Sequence, residues 1–567
     1  MKRKYLKRLG VFCLSAVLVL GTVGCGEEKE SASDTEAGEE QQENEVQQGR
    51  MQQGGENQLT EEELAAYEEA DTIEIEELNL KTNWEEMAQI TLGKTIDIDG
   101  KGAEVSGDDT VLITEGGAYV ISGSLSDGMI QVDTGEEVKL VLNGVSVTNG
   151  DGPAIYVKSA EACYIETAEG TENILTDGAA YEETEEKQKG AVFSNDRLVL
   201  LGEGTLTVNG NYKHAVCSDD EVYVVSGTYE LTAEKDGIHT NNWISVTDGS
   251  LNIVSADDGM QSEGPIEIKG GSIAIAAEDK GITAYGDLTA AEGTVSISKC
   301  TEGLESKNDL VIDGGTIEII GSDDGLNART SITINDGIMY AEMSAGDAID
   351  SNGTIEINGG LILAFGAQMP EGGIDCDMNE IVINGGTVIG TGGTNSSPSE
   401  TESSQVSVLL GDASQGDTIG ILDSAGNTVF AFEVSKAYSN LLLSAGTITS
   451  GQEYTVYTGG TITGDSYHGY YQNGTYEGGT ESISFTVDSM VVSAGGSADN
   501  MGGFGGGGKM PQNGERPDGG EMPQNGERPE LPDGAELPEN GEMPQNGEMP
   551  EGSQMPQKPE NEEVPET

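Results

Sequence analysis

The sequence predicts an all-β fold, a right-handed single-stranded parallel β-helix with coils of 22 residues. Glycine columns recur with this step, apolar columns recur with the same step, and apolar and polar residues alternate within each repeat. A unit this short cannot bury its own apolar side chains, so coils must stack on one another.

The repeat is sharpest between residues 235 and 344. One glycine column consists of Gly237, Gly259, Gly281, Gly303 and Gly325. A second column consists of Gly249, Gly271, Gly293, Gly315 and Gly337. We expect glycine at the corners of each coil, where the backbone needs a positive φ or approaches its neighbour closely.

The apolar columns predict the strands. One column consists of Ile238, Met260, Ile282, Leu304 and Leu326, and another of Ile244, Ile266, Leu288, Leu310 and Ile332. The alternation in Ile266-Glu267-Ile268 has the period of two that marks a strand. Each unit therefore holds about three short strands, stacked about 4.7–4.9 Å from those of the next coil.

The repeat loosens outward into coils of 23 to 25 residues. We expect the β-helix to span 91–395, followed at 396–494 by a β-rich region without the repeat. This second region could cap the open end of the solenoid. Residues 495–567 are rich in proline, glycine and glutamate, which predicts a disordered tail.

The first 25 residues resemble a lipoprotein signal peptide. A basic start and an apolar stretch precede Thr22-Val23-Gly24-Cys25, which resembles the site where cleavage exposes a cysteine for acylation. We expect a lipid on Cys25 to hold the protein at the extracellular face of the cell membrane. Plain secretion, with Cys25 as a bystander, is the alternative. Residues 26–90 are predicted to be a disordered acidic tether.

Charge limits the partners. The net charge of −74 excludes nucleic acid and favours divalent cations. After signal removal, four further cysteines each lie in or beside an apolar run and are predicted to be buried free thiols.

Acidic residues recur just before the first glycine column, and stacking would bring them together along one edge. They are Asp257, Asp258, Asp279, Glu302, Asp323 and Asp324. Carboxylates one coil apart repel by about 3–4 kcal/mol at an effective dielectric near 20. A calcium ion between two oxygens spans about 4.6–5.2 Å, which matches the coil step. Calcium binding is therefore predicted, although Asp-Gly pairs also shape turns without any ion.

Three basic residues are candidates for binding sugar carboxylates. Lys280 falls among the acidic positions, and Lys307 and Arg329 share a column one coil apart. Local charge balancing is at least as good an explanation for each residue taken alone. A lysine beside calcium could also act as the base of a lyase, abstracting the proton next to a uronate carboxylate.

Short motifs resemble a known family. They occur in the order Tyr119-Val120-Ile121-Ser122-Gly123, Leu140-Val141-Leu142-Asn143-Gly144 and Gly204-Thr205-Leu206-Thr207-Val208-Asn209, followed by the Asp-Asp-Gly coils. The chain resembles the clostridial carbohydrate-binding β-helix family, calcium-containing surface proteins that bind cellulose and acidic sugars and share the pectate lyase fold. The resemblance implies polysaccharide binding and calcium at the coil edges. Asp279-Lys280 and Thr301-Glu302 depart from the Asp-Asp-Gly pattern, which puts ion sites there in doubt.

The sequence thus favours a monomeric surface lipoprotein that binds polysaccharide with the help of calcium and has no assigned catalytic residue. A calcium-dependent polysaccharide lyase and a structural adhesin are the alternatives.

Overall fold

The structure is a computed structural model that describes residues 61–70, 72–107, 109–181 and 188–496. In these residues the chain is almost entirely β and forms a parallel β-solenoid of about 12 turns. The predicted fold class is confirmed. The signal peptide with Cys25, residues 26–60 of the predicted tether and residues 497–567 of the predicted tail lie outside the described residues.

Each coil contributes one strand to each of three faces, and strands are numbered here in chain order. The strands of the first face pair in parallel from β4 onward, while β3 and β4 are antiparallel. They are β3 (Ala103–Ser106), β4 (Thr110–Ile113), β6 (Met129–Asp133), β8 (Ile155–Ser159), β11 (Gly190–Ser194), β14 (His214–Ser218), β17 (Ile238–Thr240), β20 (Met260–Ser262), β23 (Lys280–Ala284), β26 (Glu302–Ser306), β29 (Leu326–Ala328), β32 (Ile349–Ser351) and β35 (Ile374–Asp375).

The second and third faces are also parallel ladders. The second face contains β9 (Cys163–Thr167), β12 (Leu198–Gly202), β15 (Val222–Val224), β18 (Ile244–Val246), β21 (Ile266–Ile268), β24 (Leu288–Ala290), β27 (Asp309–Ile312), β30 (Ser331–Ile334), β33 (Thr354–Ile357) and β36 (Ile381–Ile383). The third face contains β10 (Glu172–Thr176), β13 (Thr205–Gly210), β16 (Thr228–Ala233), β19 (Ser250–Ser255), β22 (Ser272–Ala277), β25 (Thr294–Lys299), β28 (Thr316–Gly321), β31 (Ile338–Met343), β34 (Leu361–Phe365) and β37 (Thr387–Gly392).

Further elements stand at the two ends of the solenoid. The N-terminal ones are helix α1 (Glu61–Ala70), β1 (Glu86–Leu92), β2 (Asp97–Gly100) and the long strands β5 (Gly117–Leu125) and β7 (Val138–Thr148). The C-terminal ones are β38 (Ser407–Leu410), β39 (Thr418–Asp423), β40 (Thr428–Glu433), β41 (Asn440–Ala445), β42 (Glu453–Thr458), β43 (Thr461–Thr463), β44 (Thr475–Glu477), β45 (Thr480–Thr486) and β46 (Val491–Ala494). No helix among the described residues combines the length and apolar character needed to cross a membrane.

The two glycine columns turn the chain for different reasons. Gly271, in the second column, has a φ of +83°, a conformation that side chains with a Cβ rarely adopt. Gly259, in the first column, needs room instead, because a Cβ there would lie 2.5 Å from the carbonyl oxygen of Gly281. Both predicted roles of corner glycine are therefore present, one in each column.

The apolar columns fill the interior of the solenoid. Every member of the column from Ile238 to Leu326 is fully buried. Burial of one such side chain contributes about 1.5–3 kcal/mol, and stacking coils repeats this gain at every turn. The described cysteines Cys163, Cys217, Cys300 and Cys376 are buried free thiols, which confirms their prediction.

The prediction that the disordered tether extends to residue 90 is wrong for residues 61–70 and 72–90. Helix α1 packs Tyr67 edge-on against Tyr285. The segment after it lays Ile73, Ile75, Leu78 and Trp84 on an apolar patch of the second face, formed by Ala162, Tyr164, Val199, Tyr223 and Trp243. The sequence does not predict this packing because the apolar residues of the segment are few, irregularly spaced and surrounded by acidic ones. Their partners lie far along the chain.

The C-terminal β-rich region continues the solenoid. β41 pairs antiparallel with β37, the last strand of the third face, and β38 pairs with β41 in turn. Leu409 and Leu442 enter the solenoid core. Other apolar residues of the region cover Tyr340, Leu363 and Phe365 on the outside of the third face. In the described chain, the region thus extends the interior at one end of the solenoid and covers part of its side.

Candidate cation and carbohydrate site

Two ladders of side chains run along the first face. The edge ladder lies two residues before the buried apolar column of this face, which runs from Val216 to Ile349. It consists of His214, Asp236, Asp258, Lys280, Glu302, Asp324 and Asp347. The face ladder lies one residue after the same apolar column, extended to Ile374. It consists of Cys217, His239, Gln261, Thr283, Glu305, Asn327, Asp350 and Asp375. Parallel register places each of these side chains about 4.8 Å from its counterpart on the next coil.

The predicted metal ligands divide between two neighbouring ladders. Asp258, Glu302 and Asp324 belong to the edge ladder, whereas Asp257, Asp279 and Asp323 lie one residue earlier. The acidic residues that the sequence placed along one edge therefore form two adjacent ladders instead of one. Asp257, Asp258 and Asp279 still bring carboxylate oxygens within 4.8 Å of one another.

Lys280 interrupts the run of carboxylates on the edge ladder. Its ammonium forms ion pairs with Glu302 (3.4 Å) and with Glu305, a residue that the sequence did not single out. Burial lowers the pKa of Lys280, but these two carboxylates outweigh it and the net shift is upward. An ammonium held protonated in this way is a poor general base.

Lys307 and Arg329 also have partners within the protein. Lys307 forms an ion pair with Glu305, so that one buried carboxylate lies between two ammonium groups. The Arg329 guanidinium donates to the carbonyl oxygen of Lys307 at 2.5 Å and lies 5.3 Å from the centre of the Tyr67 ring. The column that the sequence predicted is present. The ion pair of Lys307 with Glu305 is of the kind that local charge balancing would give.

A second carboxylate group forms where the repeat loosens. Asp347 of the edge ladder and Asp350 and Asp375 of the face ladder place their oxygens within 4.8 Å of one another. We call these three residues the Asp347 cluster. The backbone N–H of Gly372 donates to Asp347, and the Ser396 hydroxyl donates to Asp375.

The charged surroundings of the Asp347 cluster differ from those of the carboxylates beside Lys280. Burial first, and then repulsion by neighbouring carboxylates, raises the pKa of Asp347 to about 9 and that of Asp350 to about 8. Asp324 and Glu371 add to this repulsion. The charged groups with the largest effects on these two pKa values are other carboxylates, so the cluster favours an added cation.

A cavity of about 270 Å³ lies beside this cluster. It is lined by Asp377, Met378, Asn379, Ser396 and Ser397. Ser396 belongs to both, because its hydroxyl donates to Asp375 while it lines the cavity. Hydroxyl, amide and carboxylate groups of this kind can hydrogen-bond a sugar ring.

Sequence reasoning missed the Asp347 cluster because it followed the 22-residue step. The coil from Leu326 to Ile349 has 23 residues and the next, to Ile374, has 25. A usable signal is nevertheless present. Asp347 and Asp350 are three residues apart, as are Asp236 and His239, the spacing that joins the edge ladder to the face ladder.

Comparison with known proteins identifies the family of the chain. A family described as carbohydrate-binding domain-containing protein matches residues 107–348 and 297–480. The chain belongs to this carbohydrate-binding family. The matched ranges of this carbohydrate-binding domain contain both ladders and the Asp347 cluster.

One relative is a carbohydrate-binding domain-containing protein of Acetivibrio thermocellus, 38% identical over 128 residues. The match covers 22% of this chain and 45% of the relative, so this chain spans less than half of that protein. A solved structure of the polysaccharide lyase-like protein from C. thermocellum, a gadolinium derivative, is 30% identical with a TM-score of 0.35. That comparison covers 45% of this chain and all of the other.

Proposed function

We propose that this carbohydrate-binding protein is a cell-surface lipoprotein that binds acidic polysaccharide with the help of calcium held at the Asp347 cluster. The observation that carries the proposal is the approach of three carboxylates to within 4.8 Å at a partly buried site. Such a group is strongly repulsive unless protons or a cation neutralise it.

The donor set suits calcium. Calcium binds six to eight oxygens at about 2.3–2.6 Å, so oxygens that share one ion lie within about 5.2 Å of one another. Asp347, Asp350 and Asp375 offer only oxygen and meet this limit. When bound, calcium would supply positive charge and open coordination positions beside the cavity at Ser396.

The net charge of the protein favours binding of acidic sugars through a cation. A chain with a net charge of −74 repels a polyuronate. The candidate cations Lys280 and Lys307 are both paired with Glu305. A divalent ion at the Asp347 cluster would provide positive charge for a sugar carboxylate, while Asn379, Ser396 and Ser397 would hydrogen-bond its hydroxyl groups.

The test is retention of polygalacturonate by the purified full chain, with calcium or with EDTA. We expect retention with calcium and release with EDTA. We expect Asp350→Asn to reduce retention at least about tenfold, since one ligand fewer weakens a calcium site. Glu292→Gln is a matched control, because it also removes one negative charge but is exposed and belongs to neither ladder.

Two results would refute the proposal. Retention that is unchanged both by EDTA and by Asp350→Asn would remove calcium from the mechanism. Accumulation of unsaturated uronide, followed by ultraviolet absorbance in the same samples, would instead identify a lyase.

A further inference from the structure

A different group of side chains stands at the N-terminal end of the two ladders. Asp236 Oδ2 lies 3.1 Å from His214 Nδ1 and 2.8 Å from His239 Nδ1. The two imidazole rings stack with centroids 4.4 Å apart. All three residues are at least nine-tenths buried. Two nitrogen donors and one oxygen donor therefore converge in a nearly closed space.

Two groups of Asp236 approach the same nitrogen of His214, namely its backbone N–H and its carboxylate. The backbone N–H of Asp236 donates to His214 Nδ1 at 3.3 Å. An imidazole nitrogen that accepts this hydrogen bond cannot also donate one to the Asp236 carboxylate. In the tautomer that accepts it, His214 Nδ1 and Asp236 Oδ2 face each other at 3.1 Å with a lone pair on each atom, an arrangement that a shared cation stabilises.

The distances suit a small divalent transition metal. Ligands bound about 2.0–2.1 Å from zinc at angles of 90–109° lie about 2.9–3.4 Å apart. The two nitrogen–oxygen separations, 3.1 and 2.8 Å, fall within or next to this range. All three ligand atoms lie within 4.8 Å of one another.

We propose that His214, Asp236 and His239 bind one zinc-class divalent transition-metal ion. Imidazole suits zinc, cobalt and nickel, whereas calcium prefers oxygen donors, which the Asp347 cluster offers. Lys280 and its glutamate partners occupy the ladder between the two sites. One stack of coils thus presents a nitrogen-donor site and an oxygen-donor site in separate places. This inference does not depend on the proposed function.

The test is binding of Zn²⁺ and Co²⁺ to the purified full chain after chelation, with excess Ca²⁺ present to occupy oxygen sites. We expect one tight site by calorimetry and a Co²⁺ visible spectrum typical of nitrogen ligation. His239→Gln should weaken Zn²⁺ binding at least about 100-fold, since even loss of a ligand's outer partner costs 10–100-fold. Glutamine should be tolerated there, because Gln261 holds the same ladder position one coil later.

His468→Asn is the matched control, since His468 is the third histidine of the chain and lies beside Tyr340 instead. It should leave Zn²⁺ affinity and the Co²⁺ spectrum unchanged. Far-ultraviolet circular dichroism checks that His239→Gln is folded. The Co²⁺ spectrum of the wild-type protein tests the inference even if that variant does not fold. Two results would overturn the inference. One is the absence of a Co²⁺ spectrum typical of nitrogen ligation, and the other is Zn²⁺ binding that survives His239→Gln but not Asp350→Asn. In either case the histidines would be only hydrogen-bond partners of Asp236.

Discussion

The ammonium of Lys280 lies 3.4 Å from the carboxylate of Glu302, the residue at the same ladder position one coil later. At this step of the edge ladder the chain supplies its own cation. Farther along, Asp347 and Asp350 of the Asp347 cluster have other carboxylates as the charged groups with the largest effects on their pKa values. The ladder is therefore neutralised by the protein's own lysine near Lys280, whereas the Asp347 cluster is suited to an external cation.

Replacing Lys280 by methionine should destabilise the protein by about 3–5 kcal/mol, because Glu302 and the buried Glu305 lose a compensating charge. Urea unfolding in EDTA measures the loss. Lys299→Met is the control, since its pair with Glu278 is exposed and should contribute less than about 1 kcal/mol. Equal effects of the two substitutions would contradict the structural role of Lys280.

The stability of the metal-free protein should fall as pH rises. Asp347 and Asp350 have folded-state pKa values of about 9 and about 8. Their unfolded-state value is about 3.9. Between these values the folded state binds more protons than the unfolded state, so the free energy of unfolding decreases with rising pH. It is greatest below about pH 4 for these two groups and levels off above about pH 9.

Thermal unfolding in EDTA across this pH range measures the effect. Calcium should restore stability at pH 8 far more than at pH 5, because it binds the ionised carboxylates. Asp350→Asn should flatten the pH dependence, whereas Glu292→Gln should not. A flat profile for the wild-type protein would show that these carboxylates ionise normally.

Truncation of a core column should be costly. Ile282 is fully buried and stacked between Met260 and Leu304. Ile282→Ala should lower the free energy of unfolding by about 2–5 kcal/mol, measured by urea denaturation. Thr289→Ala, on the outward side of β24, should change it by less than about 0.5 kcal/mol. Similar changes in the free energy of unfolding for both variants would mean that the apolar column does not stabilise the fold.

The N-terminal segment should contribute to the stability of the solenoid. Trp84 contacts the Tyr164 ring edge-on at 5.0 Å, with the Lys81 ammonium 4.3 Å from its ring. Trp84→Ala should destabilise the protein by about 1–3 kcal/mol, as expected for a partly buried aromatic residue. Leu80→Ala, at an exposed position of the same segment, provides the comparison. Protease cleavage within 72–84 should accelerate only in the first variant.

Acylation should depend on a single residue. Cys25→Ser should prevent lipid attachment, so the protein would no longer partition into detergent or the membrane fraction. Metabolic labelling with a fatty acid measures the modification directly. Cys163→Ser should retain the label, since Cys163 is a buried thiol in β9. Labelling that persists in Cys25→Ser would disprove the anchor.

The sequence predicted the solenoid well because a repeat is visible locally. The glycine step, the alternation around Ile266 and the buried columns follow from positions that recur at one interval. The candidate sites were predicted less completely. Asp258, Glu302 and Asp324 do share a ladder, but Asp347, Asp350 and Asp375 come together only because two longer coils remain in register with the rest.

By itself, the sequence determined the parallel β-helix, its corner glycines and its apolar interior, since each depends on the spacing of residues along the chain. The tertiary structure alone decided that Trp84 covers the second face, that Glu305 pairs with both Lys280 and Lys307, and that Asp236 lies between two histidines. Those contacts join residues on different coils or different ladders, and their energies depend on distance and burial, which appear only when the coils are stacked.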